Sequence, residues 1–268
     1  MNSENTIAAI TPTICSLFGI APPAVASATP LGTVLEEIRS RYGLSRIDKC
    51  LVYAPDALGS LFINKHQELF APVIELAPVS IELRSVFPPK TPVCFASMFT
   101  GAPPEIHGIK LYERPVLSCD TLFDALIRAG KRPAIAAVRD SSIDLIFRGR
   151  DMAYFSEEYD PQVTARALRL LESDEHDFIL AYHQEYDDSL HATSIGSGRS
   201  LTAAQNHAAS FVQLCAAAHT CWKHLDRLII FAPDHGGHDE QVTGHGTHGE
   251  DIPEDMLVTH FFAAGCGV

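Results

Sequence analysis

Short unbroken apolar runs alternate with stretches of helical periodicity along most of this chain. Residues 50–53, 178–182 and 228–230 are too short for helices and apolar at every position, as strands buried on both faces are. Residues 80–86 also read as a strand, closed by Pro88 and Pro89. Further short strands are expected at 133–138 and 143–147, and a last one at 256–263. Between them lie helical patterns. Residues 33–42 put Leu35 and Ile38 on one face and stop at Gly43; residues 120–129 stripe Leu122, Ala125 and Leu126 and stop at Gly130. Residues 160–172 turn Val163, Ala167, Leu168 and Leu171 inward, and 201–222 is a long Ala-rich amphipathic helix. Shorter helices are expected at 13–18, 58–68 and 91–99.

Strands alternating with helices indicate an α/β protein with three α/β/α layers: a mostly parallel central sheet with helices on both faces. No repeat or low-complexity linker interrupts the 268 residues, so residues 1–268 are expected to form a single domain. Residues 102–160 are the least regular stretch and fit a small cap segment over the sheet end rather than a separate domain.

Composition narrows the function classes. A formal net charge of -13 argues against binding a nucleic-acid polymer through a general basic surface. It leaves room for a small anionic substrate, because bound cations invert the local charge. The seven cysteines are scattered and form no Cys-x-x-Cys pair, which fits reduced thiols and a cytoplasmic location. The N-terminal apolar residues are broken by Pro12, Pro22 and Pro23 with no basic stretch ahead, so neither a signal peptide nor a membrane span is expected.

The candidate chemistry collects at strand ends. The run 228–230 leads into Pro233-Asp234-His235-Gly236-Gly237, and His238, His245 and His248 follow. Asp and neutral His are ligands for first-row metals, and glycine lets the backbone turn tightly enough to aim them. The strand at 178–182 delivers Asp187 and His191, which share a face if their segment is helical. Asp56 follows the strand at 50–53, where it can either cap the next helix or face a ligand. Thr91 opens a helix; its hydroxyl can cap that helix or act as a nucleophile at the helix's positive end. Together these positions offer three carboxylates and three imidazoles around one hydroxyl. That is enough for two metal ions with open positions, an arrangement used for in-line displacement at phosphorus.

In this order the motifs resemble the alkaline phosphatase superfamily, and within it the type I phosphodiesterase/nucleotide pyrophosphatase-like members. The resemblance runs from about residue 56 to the end of the chain. It rests on Pro55-Asp56-Ala57-Leu58-Gly59, on Lys90-Thr91 with Thr100-Gly101 and His107-Gly108-Ile109, on Asp187-x-x-x-His191, on Asp234-His235-Gly236, and on His248 with its tail to Met256. It implies one zinc-type ion on Asp187, His191 and His248. The other would sit on Asp56, Asp234, His235 and the Thr91 oxygen, with zinc or manganese as the metals. It further implies a small phosphorylated substrate and hydrolysis of phosphate mono- or diesters through a phospho-threonine; the broken apolar residues of the N-terminus, as above, lead us to expect no membrane partner. Phosphonate or sulfate ester hydrolysis, and metal-dependent binding without catalysis, are the alternatives; the oligomeric state stays open. One departure is Cys94, three positions after Thr91, where many members have an asparagine that donates to a phosphoryl oxygen. Lys90, Arg139, Arg148 and Arg150 are the candidate replacements, and His238 and His245 are expected to be loop or supporting residues.

Overall fold

The apolar runs become neighbours in one sheet. The computed structural model of the protein describes residues 5–267. In chain order its elements begin with a 3-10 turn (Ile7–Ala9), α1 (Ile10–Phe18), α2 (Gly32–Tyr42), β1 (Lys49–Pro55), α3 (Ser60–Lys65), α4 (Gln67–Leu76) and β2 (Val79–Arg84). Next come α5 (Thr91–Thr100), α6 (Pro104–His107), α7 (Leu122–Arg128), β3 (Pro133–Val138), α8 (Ser142–Ile146), β4 (Ala153–Glu157), α9 (Asp160–Ser173) and β5 (Phe178–His183). The chain continues with α10 (Glu185–Ala192), α11 (Gly198–Cys221), β6 (Arg227–Phe231), a hairpin of β7 (His238–Asp239) and β8 (Gly246–Thr247), α12 (Pro253–Met256) and β9 (Leu257–Gly265).

Seven strands form the central sheet in the order β2-β9-β6-β1-β5-β3-β4. β1 runs parallel to β5 and β6, and β3 runs parallel to β4 and β5; β9 alone is antiparallel to its neighbours β2 and β6. Successive strand residues point to opposite faces, which sorts the core into two. Cys50, Val52, Ala54, Leu228 and Ile230 pack on one side with α1, α2, α5 and α7. Leu51, Tyr53, Ile229 and Phe231 pack on the other with α4, α9 and α11. The expected three layers are therefore present, with apolar cores on both faces of the sheet.

Four local differences have physical reasons. Residues 143–147 are not a strand but belong mostly to α8, whose N-cap Ser141 accepts the Asp144 N–H. The strand beside β3 is instead β4, whose residues are all only partly buried. The helix expected over 58–68 is two helices, α3 and α4, interrupted at His66. Within 102–160, β3 and β4 are strands of the central sheet, so the longest irregular stretch left is residues 108–121.

The carboxyl ends of the adjacent strands β6, β1 and β5 lead directly to Asp234, Asp56 and Asp187. Crevices at that end of an open parallel sheet are where ligands bind. No helix among the described residues is long and apolar enough to cross a membrane.

Candidate active site

Three short connections bring the acidic residues together, and their first effect is electrostatic. Asp56 and Asp234 are fully buried, and burial raises both carboxyls well above the usual range. Neighbouring carboxylates push the same way: Asp234 and Asp187 on Asp56, and Asp187 on Asp234. Asp56 accepts from the Tyr182 hydroxyl, and Asp234 Oδ1 accepts the Ala57 N–H at 3.3 Å. Burial also pushes Asp187 upward, but its contacts with His191 and His248 carry it below the carboxylate range.

Two groups of potential metal ligands result: Asp56, Asp234 and His235, and Asp187, His191 and His248. Each imidazole is oriented by the backbone. His248 Nδ1 lies 2.7 Å from Pro89 O, His191 Nδ1 3.0 Å from Gly246 O, and His235 Nδ1 2.9 Å from Gly236 O. A neutral ring that donates from Nδ1 keeps a lone pair on Nε2. Those Nε2 atoms face carboxylate oxygens: His235 stands 3.4 Å from both Asp56 and Asp234, and His191 and His248 stand 3.3 and 3.4 Å from Asp187. Burial holds His235 neutral, so there acceptor faces acceptor, and the same is true of His191 and His248 whenever their rings are neutral, as metal binding requires. Asp187 Oδ1, Asp234 Oδ2 and His235 Nε2 are buried without a hydrogen-bond partner among the described residues. Such atoms are costly to bury unless a cation joins them. The donor set therefore fits divalent metal ions. The two groups adjoin, since the His235 and His248 rings stack with centroids 4.0 Å apart.

Thr91 opens α5, but Lys90 is the N-cap residue and no side chain caps this helix. The Thr91 hydroxyl donates instead toward Asp56 Oδ1 at 3.5 Å. Asp56 is likewise no cap, because Gly59 holds that position before α3. Pro92 has no N–H, and Val93 and Cys94 donate theirs to Lys90 O, so anion attraction at this helix end rests mainly on the macrodipole.

All seven residues singled out in the sequence as ligands or nucleophile thus meet at one end of the sheet. The candidate donors separate. Cys94 is buried against Ser85 Oγ at 3.1 Å, and burial raises its thiol well above its ordinary value. Arg148 and Arg150 pair with Asp144 and Asp124. Lys90 donates to His248 O. Arg139 lines the pocket that contains Asp56, Thr91 and Asp187, and so does Arg114, which sequence reasoning missed. Arg114 lies in the irregular segment 108–121, and no local pattern marks it. Tyr182 was also missed; its place at the end of the strand beside β1 was the available signal.

His238 is a support: its Nδ1 meets Asp255 Oδ1 at 2.7 Å. The other oxygen of Asp255 accepts from Gly249 and Glu250, the residues after His248. His245 is exposed. Gly236 is the tight point of this loop, since a Cβ there would lie 2.0 Å from Glu254 O and 2.8 Å from Gly59 Cα. Gly236→Ala is expected to destabilise the fold by about 3 kcal/mol and to displace His235. Thermal unfolding together with elemental analysis checks this; wild-type metal content in the variant would contradict it.

A third cluster, Asp160, His183 and His207, has ligand-type atoms equally close. Its protons argue against a metal. The Tyr186 N–H points at His207 Nε2 at 3.1 Å, so a metal on Nδ1 would require an imidazolate.

Residues 56–113 match the family model of type I phosphodiesterase / nucleotide pyrophosphatase. Comparison with curated proteins gave no match. Among solved structures, murine ectonucleotide pyrophosphatase/phosphodiesterase 5, an inactive form in complex with AMP, superposes with a TM-score of 0.59 at 17% identity over 73% of this chain and 59% of that one. Phosphonoacetate hydrolase from Sinorhizobium meliloti 1021 in complex with phosphonoacetate gives 0.56 at 18% identity over 72% and 58%. The chain therefore spans under two thirds of the length of either structure. The matched segment carries Asp56 and Thr91, the family match is confined to it, and over the rest of the compared length the likeness to these structures is one of fold.

Proposed function

We propose that this chain is a metal-dependent hydrolase of small phosphate esters, with Thr91 as the nucleophile. The observation that carries the reading is the gathering of buried carboxylate and imidazole atoms, three of them without a hydrogen-bond partner among the described residues, in two adjoining ligand groups beside the hydroxyl of Thr91. Asp187, His191 and His248 would hold one ion; Asp56, Asp234, His235 and the Thr91 oxygen would hold the other. Zinc suits this mixture of imidazole and carboxylate, with manganese the alternative. When bound, the ions supply charge neutralisation and activation of the hydroxyl.

The chain's own residues orient the reaction. Thr91 directs its hydrogen toward Asp56, which leaves oxygen lone pairs for the pocket. Attack by Thr91 Oγ forms an O–P bond as the bond to the leaving alcohol breaks. Water then cleaves the phospho-threonine, returning the hydroxyl and releasing phosphate or a phosphate monoester.

The pocket suggests a compact substrate. Its volume is about 160 Å³ and all twelve of its lining residues carry polar groups. Among the described residues Arg114 and Arg139 have no carboxylate partner; their guanidinium groups bond to the backbone oxygens of Asp140 and Ser156. Two such guanidinium groups suit a substrate with a second negative charge. That observation favours one further reading, a carboxylate-bearing phosphonate of the kind bound to the Sinorhizobium meliloti enzyme. Seven free thiols fit a reducing compartment such as the cytoplasm.

The test is elemental analysis, followed by assay of the metal-loaded protein on nitrophenyl phosphate mono- and diesters and on phosphonoacetate. We expect about two divalent ions per chain and turnover that a chelator abolishes. Metal binding without turnover of any of these compounds would favour a non-catalytic binder.

A further inference from the structure

A helix starts with backbone N–H groups that have no partner within the helix. In α10, which carries Asp187 and His191, these groups are taken up by side chains distant in sequence. Asp160 accepts the N–H of Gln184 at 3.0 Å and of Glu185 at 2.9 Å, one on each carboxylate oxygen. His207, inside α11, accepts the N–H of Tyr186 at 3.1 Å. Three consecutive amides, the last adjoining Asp187, are therefore held by α9 and α11.

The bond from Tyr186 also sets the direction of the hydrogen bonds behind it. With Nε2 accepting, the neutral His207 ring carries its proton on Nδ1, toward the Tyr53 hydroxyl at 2.9 Å. Tyr53 then donates to His183 Nδ1 at 3.0 Å, and His183 Nε2 donates to Thr164 Oγ1 at 3.2 Å. Thr164 passes its own hydrogen to Ser210 at 3.3 Å. Burial keeps both rings neutral, lowering His207 to about 3 and His183 well below its ordinary value. The chain of bonds joins β1, β5, α9 and α11 beneath the first turn of α10. A network satisfied in one direction only holds its members rigidly.

We propose that Asp160 and His207 are positioning residues for the metal-ligand pair Asp187 and His191, acting through the backbone of Gln184, Glu185 and Tyr186. This rests on the two-ion reading above. Neither residue belongs to either ligand group, and neither lines the pocket of Thr91. Supports of this kind typically alter metal affinity by about 10- to 100-fold when removed.

The experiment measures zinc(II) affinity by competition with a chromophoric chelator, and melting temperature with and without zinc. The variants are His207→Leu, His207→Gln, Asp160→Asn, His191→Ala and the double variant His191→Ala/His207→Leu. His207→Leu should weaken one of two zinc sites by about tenfold or more and shrink the rise in melting temperature that zinc produces. His207→Gln places an amide oxygen near the lost Nε2 and should restore most of that affinity. The weakened site should be the one His191→Ala removes, so the double variant should hold its remaining ion as tightly as His191→Ala does. A merely structural role predicts lower melting temperatures, equally with and without zinc, and unchanged affinities; that result would overturn the proposal. If His207→Leu does not fold, Asp160→Asn decides: it loses one of two amide bonds and should still weaken one site selectively, and wild-type affinity there would overturn the idea. A wild-type protein that binds no zinc would remove the two-ion reading itself, and this proposal with it.

Discussion

Thr91→Ala is expected to lower turnover by about ten-thousand-fold while both metal ions stay bound. Removing an attacking oxygen removes the covalent route, and losses of this order or larger follow when a nucleophile is deleted. Six Asp and His ligands remain, so metal content should change little. Stability should change little as well, because the hydroxyl makes no capping bond and its contact with Asp56 is long, at 3.5 Å. Thr91→Ser keeps an oxygen in place and should retain measurable turnover. Rapid acid quenching and peptide mass spectrometry should find phosphate on residue 91 in the wild type and in the serine variant. Turnover near the wild-type rate in Thr91→Ala would defeat the mechanism. Neighbouring hydroxyls could not easily substitute: Ser97 is buried against His107 Nε2 at 2.8 Å, and Thr100 is bonded to Ala96 O.

The second large effect separates the two ligand groups. His248→Ala and Asp234→Ala should each leave about one ion per chain, and each should cost at least about a thousandfold in turnover, equivalent to about 4 kcal/mol of transition-state stabilisation. Their metal-free forms should differ in sign. Asp234 is a buried carboxylate beside Asp56 and Asp187, with its carboxyl raised well by burial, so its removal should raise the melting temperature of the metal-free protein. His248 satisfies Pro89 O, so its removal should lower that temperature slightly, by about 1 kcal/mol of stability. Elemental analysis and paired melting curves read out both. A metal-free Asp234→Ala protein less stable than the wild type would show that the bond from Ala57 outweighs the cost of burying this carboxylate.

The parallel core was legible because its strands are apolar at every position. Residues 50–53, 178–182 and 228–230 could be buried on both sides and little else. Asp56, Asp187 and Asp234 were legible as candidates because each follows such a run. The sheet edge was less so. β4 is only partly buried and shows neither an unbroken run nor clean alternation. Residues 143–147 form a short apolar run, which periodicity alone cannot assign; the Ser141 and Asp144 cap decides for helix. Asp160 and His207 lie on helices far from any metal-type motif. Their role depends on which amides the fold lays against them, and no local pattern encodes that.

The position of β9 has a consequence for how the protein reaches its native state. Within the sheet β2 pairs with β9 alone, and β9 separates it from β6. The segment after β2 leads to Thr91, so Thr91 reaches the sheet through a pairing of residues 79–84 with residues 257–262. β6, β1 and β5 can meet without it. Loop length does not rank these pairings, since β1 and β6 are as far apart in sequence, but β2 can join the sheet only through β9. Asp56, Asp187 and Asp234, the proposed metal ligands that follow β1, β5 and β6, can therefore meet before Thr91 joins them. In pulse-labelled hydrogen exchange, amides of β1, β5 and β6 should become protected before those of β2 and β9. A folding intermediate would on this view bind metal before it could turn over an ester.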